Sequence, residues 1–281
     1  MKRRLSIVIV TYRSAPELGP CLRALREAGA FTSSHAAHAQ VIVVDNASND
    51  DTLEVARAEA PEALLLAGSE NVGFGRACNA GARAARGEAL LFLNPDTLVL
   101  PGSLEAMLAA LDASPGIGAV GPRLLDTSGA SVDDHRPLPT PKGELQRLTR
   151  RFGAEASSPA PLTSSPEWLC GACLMIRRDT WEHVGSFDEG FFLYYEETDW
   201  CRRALDRGWT FAHVEAARVV HQGGASAKRA GQPMQGNELA RHMAASRRRY
   251  FRKHHGWAPA ALVAALHAGR RTVDSWKALL R

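Results

Sequence analysis

Short, strongly apolar runs alternate with longer amphipathic stretches through the first 122 residues. Leu5–Thr11, Val41–Asp45, Leu64–Ala67, Ala89–Asn94 and Ile117–Gly121 are rich in Val, Ile, Leu or Ala, as strands covered on both faces are. Between them lie Pro16–Ala28, Asp51–Ala58, Gly73–Arg86 and Pro101–Leu111, several of which open on Pro or Asp, residues that start helices. This alternation predicts an α/β fold: a mostly parallel sheet with helices on both faces. Such sheets bind ligands outside the carboxyl ends of their strands. The polar residues there are Thr11-Tyr12, Asp45-Asn46 and Asn94-Pro95-Asp96.

Regularity lapses over 123–166, a stretch rich in Pro, Ser and Thr that reads as a mobile loop, least ordered over 153–166. Order resumes with a strand over Glu167–Arg177, a short helix, a helix over Glu196–Arg207 and a strand over Thr210–His221. A Gly-rich loop over 222–236 then leads to two terminal helices.

Composition adds three points. No apolar run is long enough for a transmembrane helix, and the short run after Met1-Lys2-Arg3-Arg4 lacks the features of a signal peptide, so the cytoplasm is the expected compartment. Five cysteines (Cys21, Cys78, Cys170, Cys173, Cys201) do not make a disulfide framework, and the Cys170/Cys173 pair lies inside an apolar run, so inert thiols are expected. The net charge of +4 hides an asymmetry: ten of 34 Lys/Arg but one of 30 acids lie from Arg241 onward, giving +9 there and −5 before it. A basic tail on an acidic body suggests an anionic surface as partner for the tail.

Five groups of residues can carry chemistry. Asp45, closing the second strand, suits either the imide N–H of a uracil or thymine ring or a helix N-cap. Asn71-Val72-Gly73-Phe74-Gly75-Arg76-Ala77-Cys78-Asn79 has Cys78 where a dinucleotide fingerprint needs its third glycine, and it follows the third strand, which argues against NAD. Its helix start, with Arg76, still suits a diphosphate. Asp96 suits Mg²⁺ or Mn²⁺ held together with diphosphate oxygens, or a turn cap. Glu196-Glu197-Thr198-Asp199 places three acids on a helix's first turn, where the dipole favours them, but the aromatic Phe191–Tyr195 before them favours a desolvated general base. His221 is either structural or a ligand on a closing loop.

Taken in order, these motifs resemble family 2 glycosyltransferases of the GT-A fold, especially bacterial rhamnosyltransferase-like members. The resemblance spans about 5–255 and rests on Ser6–Tyr12, Val44–Ser48, Asn71–Gly75, Asn94–Asp96, Phe191–Trp200 and His221-Gln222-Gly223-Gly224. It implies an inverting, metal-dependent hexosyl transfer from a nucleotide-sugar donor, dTDP- or UDP-linked with rhamnose the leading guess, to a glycan or lipid-linked hydroxyl in polysaccharide assembly. A sugar nucleotidyltransferase or a non-catalytic sugar-nucleotide binder is the alternative; no nucleic-acid partner is expected. By resemblance Thr11, Tyr12 and Asp45 contact the nucleoside, and Asn71, Gly73, Arg76, Asn79 and Asn94 line the donor site. Asp96 and His221 hold Mg²⁺ or Mn²⁺, and Glu197 is the base with Asp199 the second candidate. Two positions depart from the family pattern: Asn94 replaces the first acid of an Asp-any-Asp motif, and Glu197 replaces the commoner Asp. The implied organisation is a catalytic domain over 1–240, with a donor half (1–122) and an acceptor half (123–240), followed by basic helices over 241–281. The last helix carries a stripe of Leu262, Leu266, Gly269, Val273, Trp276 and Leu280, which suits peripheral contact with the inner face of a cell membrane or packing on the body.

Overall fold

The computed structural model describes residues 4–33, 37–132, 135–150, 166–223 and 236–279. In chain order these form β1 (Leu5–Thr11), α1 (Ala15–Glu27), β2 (Ala39–Asp45), α2 (Thr52–Glu59), β3 (Leu64–Ala67), α3 (Phe74–Ala84), β4 (Ala89–Leu93) and β5 (Thr97–Val99). Next come α4 (Ser103–Asp112), β6 (Ile117–Leu125), β7 (His135–Arg136), α5 (Pro141–Arg150), β8 (Trp168–Leu169), β9 (Cys173–Arg177) and α6 (Arg178–Val184). The chain continues through α7 (Glu196–Leu205), β10 (Thr210–His221), α8 (Gly236–His255) and α9 (Trp257–Leu279).

Eight strands form one sheet in the order β3-β2-β1-β4-β9-β6-β10-β5. The first four are mutually parallel, as are β6 and β10. β9 runs antiparallel between β4 and β6, and β5 runs antiparallel along β10. The sheet is therefore mostly parallel with two reversed strands, neither of which the apolar pattern distinguishes by direction.

The all-apolar strands follow from burial on both faces. Leu5, Ile7 and Ile9 of β1 pack with Leu18, Leu22 and Leu25 of α1, while Val8 and Val10 face Ala77 and Cys78 of α3 and, beyond them, Trp200 of α7. Alternate residues of one strand thus feed two cores, so an apolar-polar alternation has no place. At Gly81 a side chain would overlap Val8, so α3 lies against the sheet at backbone distance. All five cysteines are free, and burial raises Cys21, Cys78, Cys173 and Cys201, so four of them are inert thiols.

Two expectations need correction. The stretch 123–166 is not one loop: β6 continues to Leu125 and α5 forms over Pro141–Arg150, with Pro141 at its first turn, where a missing N–H costs nothing. Residues 151–165 lie outside those described. The expected strand over Glu167–Arg177 is two strands, because the backbone turns at Gly171-Ala172. β8 pairs with β7 in a separate two-stranded ribbon, and only β9 joins the main sheet. That break brings Gly171 against Glu197, where an added Cβ would lie 3.2 Å from the Glu197 Cγ.

The terminal helices dock on the body. Tyr250, Phe251, Ala260 and Val263 form a third apolar cluster with Phe191. Within the predicted stripe, Leu262 is 52% exposed, so the docked face of α9 is that of Ala260 and Val263 instead. The stripe's side chains from Gly269 onward lie outside the described residues. No helix among the described residues is long and apolar enough to cross a membrane.

Candidate active site

The carboxyl ends of β1 and β2 meet where Thr11 pairs with Asp45. Thr11 Oγ1 donates to Asp45 Oδ1 at 2.9 Å, Ser48 Oγ donates to the same oxygen at 2.6 Å, and the Ser48 N–H donates to Oδ2 at 2.9 Å. Asp45 therefore fastens its own turn. It does not cap α2, which begins seven residues later with Asp51 at its cap position. Tyr12 is half-buried beside it, under the Arg13 guanidinium. Asn46 ties this end to the glycine motif by donating to the Gly73 carbonyl at 3.3 Å, and Asn71 Oδ1 accepts from the Gly73 N–H at 3.0 Å.

The start of α3 is arranged differently from expectation. Gly73 has φ +87°, and a side chain there would overlap the Phe192 carbonyl, which accepts the Phe74 N–H at 2.8 Å. One of the amides expected to meet a diphosphate thus already has a partner. Arg76 pairs with Glu189 at 3.1 Å, and buried Asn79 exchanges hydrogen bonds with the backbone of Phe187 and also donates to Glu189. Both side chains thereby brace the loop after α6.

Asp96 and His221 come together, with His221 Nε2 3.3 Å from Asp96 Oδ1. The cause is topological: β5 starts immediately after Asp96 and pairs antiparallel with the end of β10, putting Thr97 opposite His221. Asn94 stands at the end of β4, its N–H bound to the Ala172 carbonyl.

Beside this pair opens a cavity of about 690 Å³ whose wall includes Asn94, Trp168, Tyr194, Glu196, Glu197 and His221. Tyr194 and Tyr195 both occupy the left-handed region, at φ 67° and 70°. Bulky residues rarely sit there, each at a cost of roughly 1–3 kcal/mol. The other two such non-glycine residues among those described, Arg13 and Ala47, flank Asp45. Among the described non-glycine residues, strain is therefore confined to the turn around Asp45 and to the wall of this cavity.

The three acids of α7 have three different environments. Glu197 lines the cavity, and its Oε1 accepts the Trp168 indole N–H at 3.0 Å and the Thr198 hydroxyl at 3.1 Å. Glu196 is buried with Oε2 unpartnered, and burial followed by the charge of Glu197 raises it well above the carboxylate range. Asp199 is fully buried and bound by Arg203 at 2.8 Å, His254 at 2.8 Å and Lys253 at 2.7 Å. Burial alone would raise it; those hydrogen bonds and the Arg203 charge outweigh burial and hold it at about 2. Asp199 thus anchors α8 to α7 and does not line the cavity. Tyr194 is raised by burial first and then by the charges of Glu196, Asp96 and Glu197.

Sequence reasoning passed over Trp168, Tyr194 and Arg247. Trp168 and Tyr194 gave a weak signal, aromatic residues beside acids, but Arg247 lies in a helix whose charge read as a surface feature.

Residues 6–183 match the family model for glycosyl transferase family 2. An N-acetylglucosaminyl-diphospho-decaprenol L-rhamnosyltransferase of Mycobacterium tuberculosis is 30% identical, over 90% of this chain and 86% of its own. A dTDP-rhamnosyl transferase of Shigella flexneri is 26% identical, over 79% of this chain and 70% of its own. Among solved structures, a mannosyltransferase from Pyrobaculum calidifontis, in complex with GDP-Man and Mn²⁺, superposes with a TM-score of 0.59 at 19% identity, covering 95% of this chain and 70% of that one. With residues 6–183, more than half its length, matched, this chain belongs to glycosyl transferase family 2.

Proposed function

We propose that the chain is an inverting, metal-assisted rhamnosyltransferase that moves its sugar from dTDP to a hydroxyl of a lipid-linked glycan. The observation that carries the reading is Glu197, held by the Trp168 indole on the wall of a cavity that His221 and Asn94 also line. Glu197 accepts the acceptor's hydroxyl proton as that oxygen attacks the anomeric carbon from the face opposite the leaving diphosphate. The Trp168 N–H and the Thr198 hydroxyl hold the Glu197 carboxylate in place. Thr11, Tyr12 and Asp45 hold the nucleoside, with Asn71 and Gly73 beside them. Residues 1–240 form the catalytic body, and 241–281 its basic helical extension.

Asp96 and His221 fit a divalent cation, since an oxygen and a nitrogen donor 3.3 Å apart leave the remaining positions to diphosphate oxygens and water. Among the described residues no cluster of three or more ligating side chains exists, and oxygens of the donor's diphosphate would complete the set. When bound, Mg²⁺ or Mn²⁺ offsets charge on the departing diphosphate. The relatives' names support rhamnose and a lipid diphosphate acceptor, and the Mn²⁺ of the mannosyltransferase supports the metal.

Incubation with dTDP-rhamnose and a lipid-linked N-acetylglucosamine acceptor is expected to give a rhamnoside of opposite anomeric configuration to the donor, read by NMR. Retained configuration would refute a single displacement.

Peripheral membrane contact is expected at the corner between α8 and α9. Arg249, Lys253 and His254 are bound to acids of the body, which ties them down away from a surface role. Arg248 is exposed, and Trp257, 75% exposed, lies under Arg252. Phosphatidylglycerol vesicles should pellet the native chain several-fold better than the Arg248→Glu/Trp257→Ser variant, at roughly 1 kcal/mol per basic residue near the surface. Equal pelleting of both proteins would end the idea.

A further inference from the structure

The cavity has a second end. Away from Asn94 and His221 it runs between β7, the start of α5 and α8, and there Arg136 and Arg247 line it. The cations of α8 divide into two kinds. Arg249, Lys253 and His254 are tied to Asp188 and Asp199. Arg247 instead sends Nε to the Tyr195 hydroxyl at 3.4 Å and makes no ion pair among the described residues. Arg136 lies over the Trp168 ring, 4.2 Å from its centroid, and that same indole donates to Glu197. Both guanidinium groups line the same cavity as Tyr195, whose phenol burial raises and first Arg247, then Arg136, lowers. Glu144 of this wall pairs with His267 at 2.8 Å, and Glu167 accepts the Leu138 N–H at 2.9 Å.

One indole therefore separates the proposed base from a cation, with a second cation nearby. A pyranose spanning that gap presents a ring hydroxyl to Glu197 while its anomeric substituent meets the arginines. Guanidinium forks match phosphate oxygens two at a time, and stacking on Trp168 fixes the plane of one fork. Resting on the glycosyltransferase reading above, we propose that Arg136 and Arg247 bind the diphosphate that links the acceptor's first sugar to its lipid. The negative charge of that group, and not the lipid chain alone, then selects the acceptor.

The test uses the full chain and two acceptors, dodecyl-diphospho-N-acetylglucosamine and neutral dodecyl N-acetylglucosaminide. Arg247→Met and Arg136→Met are each expected to raise KM for the first acceptor about tenfold, with KM for the second and for the donor unchanged, as loss of a charge-assisted contact predicts. A native enzyme that does not distinguish the acceptors, or variants that lose both equally, would overturn the proposal. If neither acceptor is used, the functional reading fails, and titration calorimetry with dodecyl diphosphate in EDTA still decides this one. The native chain should bind that probe about tenfold more tightly than Arg247→Met. Equal binding refutes the site, and inorganic pyrophosphate binding as tightly as dodecyl diphosphate refutes its assignment to a lipid-linked acceptor.

Discussion

Replacing Glu197 by Gln is expected to lower kcat by ~10²–10⁴-fold while leaving donor affinity within about twofold. Gln keeps the volume and an oxygen for the Trp168 indole, so the cavity wall stays as it is; only the proton acceptor is lost. Asp199→Asn is expected to behave in the opposite way. Asp199 has no exposure and meets Arg203, His254 and Lys253, so removing its charge leaves buried cations without their counterion. Lys253 is 33% exposed and recovers part of its hydration, which puts the loss near the low end of the buried-pair range, up to about 3 kcal/mol. Single-turnover kinetics and thermal melting separate the two outcomes. Loss of turnover in Asp199→Asn at an unchanged melting temperature, with Glu197→Gln active, would move the base two residues along α7.

Asp96→Ala is expected to reduce turnover by at least ~10²-fold, and excess EDTA to do the same to the native chain, because several kcal/mol of leaving-group stabilisation would go with the ion. His221→Ala should cost less, since the carboxylate supplies the charge and the imidazole only a neutral donor. Mn²⁺ titration in the presence of dTDP checks the assignment independently of activity: binding should weaken in both variants, more strongly in Asp96→Ala. Full activity in EDTA together with full activity of Asp96→Ala would remove the metal from the reading. Asn94 in place of an acid makes the site one charge poorer, so weak affinity in the absence of donor is part of the same expectation.

Much of this protein is written in short-range pattern. β1, β3 and β10 run between the residues their apolar patterns mark, and α1 to α4 begin and end within two residues of the expected bounds. A strand buried on both faces and a helix opened by Pro or Asp are recognisable from their own residues, because the forces that shape them act within one turn or one pleat. Thr11, Asp45, Asp96 and His221 stand out for the same reason, as polar residues where apolar strands stop. Direction and partnership are decided elsewhere. Nothing local says that β9 enters the sheet reversed, that Gly171 breaks a strand against Glu197, or that α5 forms in a Pro-rich stretch once His267 of α9 supplies a partner for Glu144. Three adjacent acids on one helix are alike in sequence. They become a buried carboxyl raised above the usual range on Glu196, a cavity-lining carboxylate on Glu197 and an ion-pair anchor on Asp199 only when Trp168 and α8 arrive from distant parts of the chain. The charge of the tail follows the same rule, since Arg247 and Arg249 differ only in what the fold places opposite them. Helical and strand pattern reports a residue's burial through its own neighbours, whereas its charge state and its partner depend on contacts that loop closure brings from tens of residues away.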